Sequence, residues 1–215
     1  MAILSKSRIA SQVTQNSEDF EACLEKGERS ILISPFDMDS LGPASYDLHL
    51  GPQYISLMGK PQIREVRESV IIGPRESFTV VSDEYIGLPY DVAGIVFSRV
   101  SWLEQGLSQI SSYVHPGFKG HLAETLTNTI DTALQVNART AFCQIAFFEV
   151  PGGTAGERYE GERSGQTVAS IMKRLTETHQ NPQRVCASAI TEERKTLRGF
   201  VRYLFGERRI EIRRM

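Results

Sequence analysis

From Ile31 to Val150 the chain is cut into short β-prone runs by proline, glycine, asparagine and aspartate, and no long helical pattern intervenes. Runs such as "ILIS", "SYDLHL", "QYISL", "SVIIG", "SFTVV", "AGIVF" and "AFCQIAFFEV" are bounded at Pro35, Gly42-Pro43, Gly51-Pro52, Gly73-Pro74, Pro89, Pro116-Gly117 and Asn137. Proline lacks a backbone donor and glycine adds no side chain to pack, so each of these sites is a stop or a corner. Many short strands at this spacing predict a mainly β fold, a sandwich or distorted barrel.

The flanks differ from this middle. Asn16 or Ser17 is placed to cap a short helix with Phe20, Cys23 and Leu24 on one face, and Gly27 stands where such a helix ends. The stretch "GGTAGERYEGERSGQT" is rich in glycine and charge and reads as an arm rather than core. In the tail, Leu197, Val201 and Leu204 recur at helical spacing beside a stripe of Arg194, Arg198 and Arg202. Residues 1–175 are therefore expected to form one β domain, and 176–215 a helical, basic extension.

The totals narrow the class. With 24 Lys+Arg against 26 Asp+Glu and a net charge of −2, no global field favours nucleic acid or an anionic surface. Glu192, Glu193, Glu207 and Glu211 dilute the basic tail, so a protein partner for that helix is expected before nucleic acid. Cys23, Cys143 and Cys186 form no C-x-x-C pair, which points to neither a disulfide framework nor a zinc site, and a cytoplasmic setting is expected. The N-terminus has no apolar core of a signal peptide, and no apolar run approaches a membrane span.

Five segments then agree in order and spacing with one family. "MAILSKSRI", "LGPASYDLHLG" (Leu41 to Gly51), "SRVSWLEQGL" (Ser98 to Leu107), "VHPGFKGHLAETLTN" (Val114 to Asn128) and "RYEGERSGQTVAS" (Arg158 to Ser170) strongly resemble the dCTP deaminase branch of the dUTPase superfamily. The resemblance runs from about Met1 to Leu175. It implies a distorted β-barrel or jelly-roll protomer of the dUTPase-like type with short helices, here with a C-terminal helical extension. It also implies a homotrimer with nucleotide sites at the subunit interfaces. Family members deaminate dCTP, hydrolyse dUTP, or do both, without zinc and with no cofactor of their own; magnesium accompanies a bound nucleoside triphosphate.

Carried onto this sequence, the nucleotide-binding positions are Arg99, Ser101, Glu104 and Ser111, then Phe118, Gln144, Arg158 and Tyr159. Several depart from the family pattern. Val100 replaces a serine hydroxyl, and Glu104 replaces a phosphate-facing arginine. Like charges at contact cost about 4 kcal/mol at an effective dielectric of about 20. His115 stands where the dUTP-hydrolysing members carry aspartate.

The strand that carries the deaminase glutamate reads "GHLAETLTN". Anchored on Gly120, His121 and Asn128 without a gap, it places Thr125 at that glutamate's position and Glu124 one residue early. Alternation puts Glu124 on the face of Leu122 and Leu126, so only a β-bulge would be expected to bring it to the site. No catalytic residue is then assigned outright, with Glu124 and His115 as substitutes, and no metal ligands are expected. The resulting expectation is a catalytically degenerate protein that binds a nucleotide for sensing, sequestration or regulation. An active enzyme on a pyrimidine deoxynucleotide, converting dCTP to dUTP or dUTP to dUMP, is the alternative. A scaffold acting through its C-terminal helix is the third.

Overall fold

The computed structural model describes residues 2–157, 159, 161, 165 and 167–180. The chain divides into two compact units, Met1–Lys173 and Arg174–Met215, and the description below is of the first. Of the helical extension expected over 176–215, residues 181–215, with Leu197, Val201 and Leu204, lie outside the described residues.

In chain order the elements begin with α1 (Lys6–Gln12), β1 (Val13–Thr14), α2 (Ser17–Glu25), β2 (Ile31–Ser34), β3 (Tyr46–Ser56), β4 (Gln62–Glu65), β5 (Ser69–Ile72) and β6 (Ser77–Gly87). They continue with β7 (Val92–Ser98), α3 (Val100–Glu104), β8 (Leu107–Gln109), β9 (Ser112–Val114), β10 (Lys119–Asn128), β11 (Leu134–Asn137), β12 (Ala141–Glu149) and α4 (Val168–Gln180). Ten strands join in one branched sheet and β5 pairs with β11 in a second. The protein is mainly β with a jelly-roll-like arrangement, as expected, and no closed barrel forms among the described residues. None of the described helices is long and apolar enough to cross a membrane.

Local chemistry explains the helices. The Asn16 side chain accepts the Glu18 N–H at 2.7 Å and caps α2, whose Phe20 is fully buried; Gly27 follows at φ +71, a left-handed turn suited to glycine. Helix α1 was not legible in advance. It buries only Ile9, and Ser5 caps it by accepting the Arg8 N–H.

The strands are longer than the punctuation suggests. Gly51-Pro52 does not end a strand; β3 runs through it, pairing with β12 over Tyr46 to His49, with β6 from Leu50 onward and with β4 from Gln53 onward. The site is a corner where one strand passes between pairing partners. A Cβ at Gly51 would lie 2.7 Å from the Val81 carbonyl oxygen, so the corner requires glycine. The apolar faces enclose one core in which Tyr46, Leu48, Phe78, Ile86, Phe142, Ile145 and Phe147 are almost fully buried.

Two of the buried polar groups in this frame, Ser82 and Glu84, sit in β6. Between Tyr85 and Val81, β6 advances four residues while β10 advances two, a bulge that Ser82 fills by donating to the Glu84 carbonyl at 2.7 Å and accepting the Leu122 N–H at 2.9 Å. Glu84, 2% exposed, accepts from the His49 backbone N–H at 3.0 Å and from His49 Nδ1 at 2.5 Å. The Glu84 hydrogen bond, opposed by partial burial, raises the His49 pKa above its ordinary 6.5.

A raised folded-state value means that the pair's contribution is fully present below pH 6.5 and is lost as pH rises through the folded value. The difference in melting temperature between wild type and His49→Gln is therefore expected to be largest at about pH 5 and to shrink toward about pH 9. Thermal melts across that range check it.

Candidate functional site

Strand β10 alternates without interruption. Gly120, Leu122, Glu124, Leu126 and Asn128 are buried, whereas Ala123 and Thr127 are half-buried and Thr125 is exposed. Glu124 thus occupies a register in which a strand buries apolar side chains, and it is 4% exposed. The expected route to the site, a bulge in its own strand, is not used. The extra residues lie in β6, and the face shared by Leu122 and Glu124 itself borders a pocket.

A buried carboxylate must find donors. β8 pairs with β10 so that Gln109 stands opposite Leu126, one step diagonal to Glu124. Gln109 Nε2 donates to Glu124 Oε2 at 2.9 Å, and Ser112 Oγ donates to Oε1 at 2.5 Å. The carboxylate of β10 is therefore held by the two ends of the short Gln109–Ser112 connection.

The cavity has a volume of about 210 Å³ and is lined by Ser112, Tyr113, Val114, His115, Phe118, Leu122, Ala123, Glu124 and Tyr159. Its rim is aromatic. The His115 and Tyr159 rings stack with centroids 5.0 Å apart and an interplanar angle of 3°, and Tyr113 meets His115 edge-on at 4.7 Å. The turn that presents His115 follows from Pro116-Gly117: Gly117 has φ +77, and the Phe118 N–H donates to the His115 carbonyl at 3.1 Å. The Tyr159 N–H donates to the Pro116 carbonyl at 3.0 Å, which seats the ring on this turn.

Of the residues singled out from the sequence, Glu124, His115, Phe118 and Tyr159 meet at this pocket. The others do not line it. Thr125 lies on the opposite face of β10, its hydroxyl 3.0 Å from that of Thr79. Arg99 forms an ion pair with Asp47, and Gln144 accepts from Ser45 Oγ at 3.0 Å, both at the junction of β3 with β7 and β12. Ser101 and Glu104 are exposed on α3, and Ser111 is exposed between β8 and β9. Arg158 is outside the described residues.

Gln109 and Ser112 were not anticipated. The available signal was the carboxylate itself, because an acid in an apolar register demands nearby donors and "LSQISS" is the adjoining polar stretch. Elsewhere, Cys143 is fully buried, and burial first, then the charge of Glu124, pushes its thiol well above the ordinary value. It is an inert core thiol rather than a nucleophile.

The model of the dCTP deaminase-like family matches residues 14–150. The chain belongs to that family. The match spans every element that builds the pocket except the segment carrying Tyr159. Among curated relatives, the dCTP deaminase of Pyrococcus furiosus is 35% identical over 149 residues, covering 69% of this chain and 94% of the relative. The dCTP deaminase of Thermococcus kodakarensis is 36% identical over 152 residues, covering 69% of this chain and 95% of the relative. Among solved structures, the 2'-deoxycytidine 5'-triphosphate deaminase from Agrobacterium tumefaciens superposes with a TM-score of 0.51 at 14% identity, over 69% of this chain and 47% of that one, a likeness of fold.

These relatives correct the expectation of a catalytically degenerate binding protein. Enzymes named dCTP deaminase share a third of their residues with this chain over nearly their whole length, which favours the active alternative. The degenerate reading rests on Thr125 standing at the glutamate position, together with Val100, Glu104 and His115. It overlooks that a carboxylate one residue earlier faces a pocket on the other side of the strand.

Proposed function

We propose that the protein is a deaminase of the dCTP type, acting on the cytosine ring of a pyrimidine deoxynucleotide. The observation that carries this is the Glu124 carboxylate, buried at the wall of an aromatic-rimmed pocket with both oxygens held by neutral donors. Hydrolytic deamination adds the oxygen of water to C4, breaks the C4–N4 bond and releases ammonia. One water proton ends on N3 and the other leaves with the amino group. A single carboxylate that takes the first proton and returns it to the ring or to the departing nitrogen serves both transfers. Ser112 and Gln109 keep it aimed.

A cavity of about 210 Å³ is smaller than the span of roughly 300–1,000 Å³ usual for complete ligand sites. It suits a base, leaving sugar and phosphates to be covered by other surfaces. A homotrimer would supply them: Phe97, Val100, Leu103, Ile110 and Tyr113 leave apolar side chains exposed around α3 and the pocket, Ile110 at 89%. In such an assembly Arg99, Ser101 and Gln144 of an adjacent copy would complete the nucleotide site. Sedimentation of the purified protein as three chains is the expected result, and a monomer at micromolar concentration would remove this part of the proposal.

Magnesium enters as part of the substrate, bound to its triphosphate. Among the described residues, no three His, Cys, Asp or Glu side chains cluster so as to hold a metal ion of their own. Glu104, exposed at the end of α3, puts a negative charge at the family's phosphate-facing position. The test of the function is therefore ammonia release by the purified protein from dCTP and from dCMP, each with magnesium. Release from either supports deamination, the ratio of the two kcat/KM values reports what Glu104 does to phosphate recognition, and release from neither overturns the reading.

A further inference from the structure

A proton-carrying carboxyl changes its hydrogen-bonding needs twice in each cycle. Ionised, it only accepts; protonated, it must donate from one oxygen. A partner that can only donate serves the first state alone, whereas hydroxyl and amide groups can serve both. Glu124 is held by one of each, Ser112 at Oε1 and Gln109 at Oε2.

Gln109 carries a second, independent sign. While its Nε2 donates to Glu124, its Oε1 is buried and has no hydrogen-bond partner among the described residues. An unspent buried acceptor is costly, at about 1–3 kcal/mol for an unmatched polar group. Turning the amide over would bring that acceptor toward Glu124 Oε2 once the carboxyl is protonated. Nε2 then takes the buried place that Oε1 leaves, so the amide keeps one unmatched end in each state while presenting to Glu124 the group that state needs.

We propose that Gln109 and Ser112 are positioning residues that hold the Glu124 carboxyl in one orientation through both of its protonation states, Gln109 by turning its amide over. This rests on Glu124 being the proton carrier of the proposed deamination. Titratable groups near it include His115, Tyr113 and Tyr159, which line the same pocket, and Cys143 of β12, whose thiol feels its charge.

The experiment compares wild type with Gln109→Met and Gln109→Glu. Methionine keeps the length and loses donor and acceptor; glutamate keeps the shape, accepts at every pH and donates only when protonated. Two readouts are taken: the pH profile of ammonia release, and the protonation midpoint of Glu124 in the substrate-free protein by infrared difference spectroscopy, with Glu124→Gln as the blank. For Gln109→Met, kcat is expected to fall about 100-fold with KM changed less than about threefold. The Glu124 midpoint and the acidic limb of the profile should both rise, because a donor to the ionised form is gone.

Gln109→Glu should recover toward wild type as pH falls and the introduced carboxyl gains a proton to donate, while Gln109→Met does not. An unchanged midpoint and kcat in Gln109→Met overturns the proposal, as does Gln109→Glu tracking Gln109→Met at every pH. If Gln109→Met does not fold, the isosteric Gln109→Glu decides alone by the presence or absence of that low-pH recovery. If wild type releases no ammonia, deamination falls and the Glu124 midpoint decides the positioning role: a rise in Gln109→Met supports it, and no change removes it.

Discussion

Glu124→Gln is expected to lower ammonia release by about 10²–10⁴-fold, the usual worth of a positioned general acid or base, while leaving the protein folded. The two side chains have the same shape. Glutamine at 124 still offers a carbonyl oxygen to the Ser112 hydroxyl, and its amide can donate to the unspent Oε1 of Gln109 once that amide turns over. In that arrangement Gln109 Nε2 loses its acceptor, a cost of about 1–3 kcal/mol for an unmatched buried donor. Burying a neutral amide in place of a carboxyl that is 4% exposed works against that cost, so the melting temperature should stay close to that of the wild type. A coupled ammonia assay beside a thermal melt separates the two effects. Full turnover in Glu124→Gln would take this carboxylate out of the chemistry and return attention to His115.

The second large effect concerns stability. Asn128 is fully buried at the end of β10, where its Nδ2 group faces the carbonyls of Ile72 at 3.2 Å, Gly73 at 2.9 Å and Thr132 at 2.8 Å, and its Oδ1 accepts the Ile130 N–H at 3.1 Å. One side chain thus ties the end of β5 to β10 and to the turn that leads into β11. Asn128→Ala leaves unmatched the buried Ile72 carbonyl and three part-buried backbone groups, at Gly73, Ile130 and Thr132, an unmatched buried group costing about 1–3 kcal/mol. With partial rescue by entering water, the expected loss is about 3–5 kcal/mol, measured as a fall in the urea midpoint at unchanged slope. At roughly 2–4 °C per kcal/mol for a chain of this size, the melting temperature should drop by about 6–20 °C. A loss below about 1 kcal/mol would mean that the turn is held by other contacts.

Much of the β framework could be read from local chemistry. Asn16 and Gly27 bracket α2, Pro116-Gly117 makes the turn before β10, and most of the β-prone runs lie in strands. What could not be read depends on neighbours distant in sequence. Gly51-Pro52 looks like a stop because nothing local reveals that Val81 presses against it and carries the strand round a corner. "KSRIASQ" has one apolar residue to bury, too weak a pattern to announce α1.

The site divided in the same way. Alternation placed Glu124 correctly on the face of Leu122 and Leu126. Whether that face meets solid core or a cavity is decided by Gln109, Ser112 and Tyr159, which a strand pattern in β10 does not contain. Gapless comparison with the family motif compared positions along the strand and so favoured Thr125, on the outer face.

The branching of the sheet at β6 has a consequence for how the chain is made. That strand pairs with β2 and β3 before it in sequence and with β10 after it, and the β10 partner begins more than thirty residues beyond its end. During synthesis, one edge of β6, a strand that carries Phe78, Val80, Val81, Tyr85 and Ile86, stays unpaired until β10 has emerged. For that interval the growing protein exposes a template for any other extended chain. Slower translation across the Val92–Lys119 stretch is then expected to lower the yield of folded protein, and a chaperone that covers the open edge to restore it.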